Sequence, residues 1–191
     1  KGQVKISGSK NASLPILAAT LLSDKKISLT NIPRVKDVKT MIKLLESMGS
    51  KVKVLKNKNS LIIKNDKIIK AEASYDLMST MRAGIIVLGP LLARFGKARA
   101  SIPGGCNLGF RPIDIHLEAL KKMGVKYKLV DGYINAKAKN GLVGAKIKFP
   151  KISVGATENL MIAACLAKGQ TVLSNCAIEP EIKDLSNFLC S

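Results

Sequence analysis

The stretch SIPGGCNLGFRPIDIH at 101–116 sets one thiol, Cys106, between a glycine pair and a third glycine, with a guanidinium, Arg111, five residues downstream. Gly104, Gly105 and Gly109 give such a loop the backbone freedom of a lid, and Arg111 offers a planar fork of donors to phosphate or carboxylate. A thiol with a reference pKa of about 8.5 is mostly protonated near neutrality, and neighbouring cations lower that value. Cys106 therefore has the chemistry of a general acid or a nucleophile, against the plainer reading of an incidental loop thiol. The remaining cysteines suit less: Cys165 falls in an apolar segment, Cys176 just after a strand and Cys190 on an outer helix face. His116 is the single histidine, so neither a catalytic triad nor a metal cluster can be assembled, and a metalloenzyme or papain-like hydrolase is disfavoured.

What positions this loop is a repeat. Three segments are apolar nearly all round, ASLPILAATLL at 12–22, LMSTMRAGIIVLGPLLARF at 77–95 and VGATENLMIAACLA at 154–167, and helices without a polar face belong inside a protein. Each precedes a short strand, at 27–31, 98–102 and 171–175, and then a proline-containing turn with an aspartate: PRVKD at 33–37, RPID at 111–114 and PEIKD at 180–184. Amphipathic helices ending in Met-Gly follow at 38–49 and 115–124, with alternating strands at 51–55 and 126–130. The third copy begins its outer helix at 185–191 and reaches the last residue before any Met-Gly. The fold expected is α/β and inside-out: three repeated units whose buried parallel helices are enclosed by strands and outer helices, the third unit incomplete.

Parallel buried helices bring their N-termini to one surface, where unpaired N–H groups and the helix dipole favour anions. Lys10 and Asn11 precede the first helix, with Asn11 expected as its N-cap, Arg82 lies early in the second, and Lys151 and Ser153 lead into the third. Each alone reads as ordinary surface chemistry. Their recurrence at equivalent repeat positions points to a phosphate-binding face, and the glycine-rich insertion interrupts only the middle copy, as a functional loop would. Asp114 reads equally as a cap of the outer helix, like Asp37 and Asp184 in the sibling copies, or as a ligand contact.

The 191 residues are enough for one domain with a real core, and 47% hydrophobic against 24% charged residues exclude a disordered chain. No apolar run reaches the length of a membrane span, no cationic leader is evident, and KGQVKISGSKN at 1–11 reads as a strand ending in a turn. Four scattered cysteines without a C-x-x-C pair read as reduced thiols of a cytoplasmic protein. The net charge of +19 raises the possibility of a polyanion-binding module. Only five of the 32 basic residues are Arg, however, and Trp is absent, which leaves little equipment for reading or stacking bases. The densest run, at 51–70, alternates Lys with Val as a strand with one solvated face does.

These segments together, SGSKNASLPILAATLL at 7–22, TMRAGI at 80–85, GPLLARFG at 89–96, PGGCNLGFRPIDIH at 103–116, KISVGAT at 151–157 and EPEIKDLSNF at 179–188, closely resemble the UDP-N-acetylglucosamine 1-carboxyvinyltransferase family of enolpyruvyl transferases. That resemblance implies two similar inside-out α/β domains with the active site between them, residues 1–191 forming the first, truncated in its third repeat, and the second being absent. It implies transfer of the enolpyruvyl group of phosphoenolpyruvate to the sugar 3-hydroxyl of UDP-N-acetylglucosamine, the first committed step of peptidoglycan precursor synthesis, with no cofactor and no metal. It further implies Cys106 as the loop acid, alkylated by fosfomycin. Lys10, Asn11 and Arg111 would contact phosphoenolpyruvate. Arg82, Arg111, Pro112, Ile113, Asp114, Ile115, Lys151, Ile152, Ser153 and Val154 would hold the sugar nucleotide, which moves Asp114 toward a ligand contact. The family's catalytic Asp and a further substrate-binding Arg belong to the second domain, so the chain alone is expected to be inactive.

Two alternatives carry distinct signatures. A 3-phosphoshikimate 1-carboxyvinyltransferase would retain shikimate phosphate rather than UDP-N-acetylglucosamine. A non-catalytic polyanion module would bind nucleic acid with steep salt dependence and without regard to Cys106. Completion of the third repeat by another chain is a third possibility.

Overall fold

Apolar side chains at three- and four-residue steps followed by short alternating strands give, in the first unit, α1 (Lys10–Ala19), β1 (Lys26–Leu29), α2 (Lys36–Met48), β2 (Lys51–Leu55) and β3 (Ser60–Lys64). The second unit adds a leading strand: β4 (Glu72–Ala73), α3 (Tyr75–Met78), a 3-10 segment (Arg82–Val87), α4 (Leu88–Phe95), β5 (Lys97–Ser101), α5 (Asp114–Lys122), β6 (Lys126–Val130) and β7 (Tyr133–Lys137). The third comprises β8 (Lys146–Lys148), α6 (Val154–Ala164), β9 (Val172–Ser174) and α7 (Pro180–Cys190). This computed structural model describes residues 1–4, 6–55, 59–68, 70–102 and 113–191. Cys106, Arg111 and Pro112, with the glycines beside them, lie outside the described residues.

The repeat is visible in strand order. Sheet one runs β1-β3-β2 and sheet two β4-β5-β7-β6, so β3 inserts antiparallel between β1 and β2 just as β7 does between β5 and β6. Sheet two carries β4 parallel to β5, and the third unit pairs β8 parallel to β9 in the same way. The turns repeat as well. LTN at 29–31 and LSN at 173–175 place Asn31 and Asn175 at φ of 57° and 56°, a left-handed conformation that Asn tolerates better than most residues. Gly49 closes α2 at φ 110°, where a residue with a Cβ would be strained.

Enclosed by these layers, α1, α4 and α6 bury residues on every side, Leu17, Ala18, Leu91, Leu92, Leu160 and Ala163 all being fully sequestered. Backbones approach closely only where small residues allow it. At Gly89 a Cβ would run into the side chain and carbonyl of Asn159, so α4 and α6 meet through that glycine.

The structure alters several expectations. Residues 77–95 are not one helix. Val87 links the 3-10 segment to α4 without a side-chain cap, and Pro90 stands in the first turn of α4, where its missing N–H costs nothing. Asn11 is not the N-cap of α1. Ser9 takes that place, accepting from the Ala12 amide at 3.3 Å, and Asn11 is the second helical residue. No aspartate caps an outer helix: Val35, Ile113 and Glu179 hold those positions, and α7 starts at Pro180 rather than 185 because proline is pre-set for a first turn. Residues 1–4 and 6–9 form no strand. Val4 and Ile6 are 84% and 81% exposed, without the alternating burial of a strand on a core.

Replacing Gly89 by Ala is expected to destabilise the chain by roughly 1–3 kcal/mol, since the buried helices cannot separate without opening the core. Urea unfolding checks this, and an unchanged midpoint would show that α4 and α6 have room to move apart.

Candidate functional site

Helices α1 and α6 begin alike. In α1 the Ser9 hydroxyl accepts from the Ala12 amide at 3.3 Å, and Ser13 Oγ donates back to the Ser9 carbonyl at 2.7 Å. In α6 the Ser153 hydroxyl accepts from the Ala156 amide at 3.3 Å, and Thr157 Oγ donates to the Ser153 carbonyl at 2.8 Å. The cap meets one of the orphan donors and leaves the first amides of each helix, those of Lys10 and Asn11 and of Val154 and Gly155, without intrahelical partners. These are the donors an anion would use.

A chain of contacts brings the helix starts together. Lys10 Nζ pairs with Asp37 Oδ2, at the start of α2, at 3.1 Å. Asn11 Nδ2 donates to Glu181 Oε1, at the start of α7, at 3.5 Å. The Ala177 amide, just before α7, donates to Thr157 Oγ1 of α6 at 3.1 Å. Asn159 of α6 reaches His116 of α5 at 3.0 Å. Arg82 opens the 3-10 segment, half-buried, and that segment packs on both α1 and α6.

Of the residues expected at a site, Lys10 and Asn11 open α1, Arg82 opens the 3-10 segment, Ile113, Asp114 and Ile115 stand at the start of α5, and Ser153 and Val154 at the start of α6. Asp114 is the first residue of α5, exposed, with Oδ1 accepting from the Ile115 amide at 2.9 Å. Lys151 and Ile152 lie exposed just before the Ser153 cap, Ile152 at 60%. Cys165 closes α6 and is exposed, as is Cys190, while Cys176 is half-buried. Partial desolvation of the sulfurs raises the Cys165 and Cys176 thiols above their usual range, the opposite of what a reactive thiolate needs.

Sequence reasoning missed three buried polar groups. Glu158, 4% exposed, makes no hydrogen bond or ion pair among the described residues, and burial, reinforced by Glu181 and Glu179, pushes its carboxyl up to about 8. His116, 6% exposed, is held down at about 4 by burial, against the opposing pull of Asp114. Asn159 is fully buried. The signal for Glu158 was an acid inside an otherwise apolar helix, and such a residue must be paired or protonated.

The EPSP synthase (3-phosphoshikimate 1-carboxyvinyltransferase) family model matches residues 1–191. The chain is 71% identical over 189 residues to the UDP-N-acetylglucosamine 1-carboxyvinyltransferase of Pelagibacter ubique, and 52% identical over 189 residues to that of Trichlorobacter lovleyi. In both cases the match covers 99% of this chain and 45% of the relative's length. In architecture it is similar to the enolpyruvyl transferase NikO from Streptomyces tendae, with a TM-score of 0.85 and 19% identity over 100% of this chain and 44% of that one.

The two shifted groups give a pH signature. Below 6.5 an unfolded chain takes up a proton that native His116 refuses, so stability falls as pH drops from 6.5 toward about 4. Above 4.5 an unfolded chain releases a proton that native Glu158 keeps, so stability falls as pH rises from 4.5 to about 8. The trends oppose each other up to pH 6.5, and beyond it only that of Glu158 remains. Thermal unfolding should show a loss of roughly 2 kcal/mol between pH 6.5 and 8 that Glu158→Gln removes. The same loss in the variant would assign it to other groups.

Proposed function

The chain belongs to the EPSP synthase family, and we propose that it supplies the first domain of an enzyme that transfers the enolpyruvyl group of phosphoenolpyruvate to UDP-N-acetylglucosamine. The chain spans about 45% of the length of the curated relatives it matches, and the remainder of such a polypeptide would provide the second wall of the cleft. What supports this reading is that Lys10 and Asn11, Ile113–Ile115, and Ser153 and Val154, drawn from three repeats, all stand at helix N-termini. The sugar-nucleotide name borne by the 71% and 52% identical relatives favours UDP-N-acetylglucosamine over shikimate phosphate, and a polyanion-binding module is not favoured.

In this reading the phosphate and carboxylate of phosphoenolpyruvate rest against Lys10, Asn11 and Arg111. Lys10 stands at the start of α1, its ammonium paired with Asp37. The sugar nucleotide lies along Arg82, Arg111, Pro112, Ile113, Asp114, Ile115, Lys151, Ile152, Ser153 and Val154, its diphosphate drawn to the free amides that open α6. The sugar 3-hydroxyl oxygen bonds to C2 of phosphoenolpyruvate while Cys106 Sγ–H gives its proton to C3, forming a tetrahedral intermediate. Loss of a C3 proton with departure of phosphate restores the enol ether. The Asp that the resemblance assigns to the hydroxyl proton belongs to the second domain, so residues 1–191 alone are expected not to turn over. Closure of the 103–112 loop would exclude water while the proton is delivered.

Fosfomycin labelling tests this directly. Intact mass and peptide mapping should find one adduct at Cys106, enhanced by UDP-N-acetylglucosamine and weakened by Lys10→Met, which removes the cation from the anion site. An adduct that ignores both the sugar nucleotide and Lys10, or none while general thiol reagents still reach Cys106, would sink the assignment.

A further inference from the structure

Asn159 sits fully buried in the middle of α6, and its amide is spoken for on both sides. Its Oδ1 accepts from the Gly89 amide of α4 at 2.7 Å, so its Nδ2 is the donor that faces His116 Nδ1 at 3.0 Å. A ring nitrogen that accepts carries no proton, which places the single ring proton on Nε2. A charged imidazole would turn two donors toward each other at that contact. The other edge of the ring lies against the first turn of α6: a Cβ on Gly155 would stand 3.5 Å from His116 Cε1 and 3.7 Å from Nε2. Gly155 and Asn159 are one turn apart on the same helix, so the imidazole is gripped along α6 at two points.

His116 follows Asp114 and Ile115, and Gly155 follows Ser153 and Val154. We propose, on the footing of the sugar-nucleotide reading above, that Asn159 is a positioning residue: through His116 it fixes the distance between the N-termini of α5 and α6 that grip the nucleotide. The clasp joins two elements of the second unit, α4 at Gly89 and α5 at His116, to the third unit, so a ligand spanning both segments meets a gap set in advance. Positioning of this kind acts on binding geometry rather than on the proton transferred at the reacting carbon.

Selective ¹⁵N-histidine labelling reads the tautomer directly, the His116 signal being assigned by its loss in His116→Asn. In the full-length polypeptide at pH 7 that signal should be the neutral Nε2–H tautomer. Asn159→Asp keeps an acceptor for Gly89 but draws a proton onto Nδ1. The ring should then be doubly protonated, with KM for UDP-N-acetylglucosamine raised about tenfold or more and KM for phosphoenolpyruvate unchanged. Should that variant fold poorly, His116→Asn, whose Oδ1 takes the place of Nδ1, should hold KM within about threefold of the unsubstituted enzyme, whereas His116→Ala raises it. An Nδ1–H tautomer in the unsubstituted protein overturns the proposal, as does equal KM in the Asn and Ala variants. If the unsubstituted protein neither binds nor uses the sugar nucleotide, the functional reading fails and this role with it. The tautomer would then identify the contact as a core clasp alone.

Discussion

A helix that is apolar on every side can be buried whole, but its two ends cannot be apolar, because four N–H groups and four C=O groups at the termini lack partners. The arrangement of this chain follows from where those groups are satisfied. At the end of α1 and its following 3-10 turn, Arg94 Nη1 donates to the Leu21 and Ser23 carbonyls at 2.9 and 3.1 Å, and Nη2 to the Asn65 carbonyl at 3.1 Å. Asn65, itself fully buried, donates to the Thr20 carbonyl at 2.6 Å. The C-terminal end is thereby closed with groups from outside the helix. The N-termini of α1 and α6 each receive a serine cap that meets one orphan donor, so N–H groups remain there for an anion.

That polarity also explains the acids around the site. Asp37 and Glu181 hold the side chains of Lys10 and Asn11 at the helix starts, a favourable place for carboxylates because the dipole end is positive. Glu158 is the exception, since it is buried with two acidic neighbours and no cation among the described residues, and it stays protonated. The overall charge of +19 gives no hint of this local excess of carboxyl groups.

Much of the fold was legible in the sequence because repetition multiplies weak signals. LTN and LSN, the Met-Gly helix ends and the alternating strands at 51–55 and 126–130 each appear twice, and two instances that agree exclude most accidents of composition. Less was legible where the copies diverge. The middle buried segment breaks into a 3-10 stretch and α4, and aspartates that align in sequence do not align as caps, because caps depend on one or two residues of turn geometry that hydrophobic periodicity does not record.

By itself the sequence determined the repeat, the burial of its three apolar segments, the sides of the outer helices that face the core, and the residue types available for anion chemistry, since all of these follow from short-range pattern and side-chain chemistry. Only the tertiary structure decided which helix starts meet, that Glu158 is left without a cation among the described residues, and that Gly89, Asn159 and His116 form one contact across 70 and 43 residues of sequence. The reason is that a buried polar group is defined by its partners, and partners so distant along the chain are chosen by the packing of whole helices rather than by anything in the local sequence.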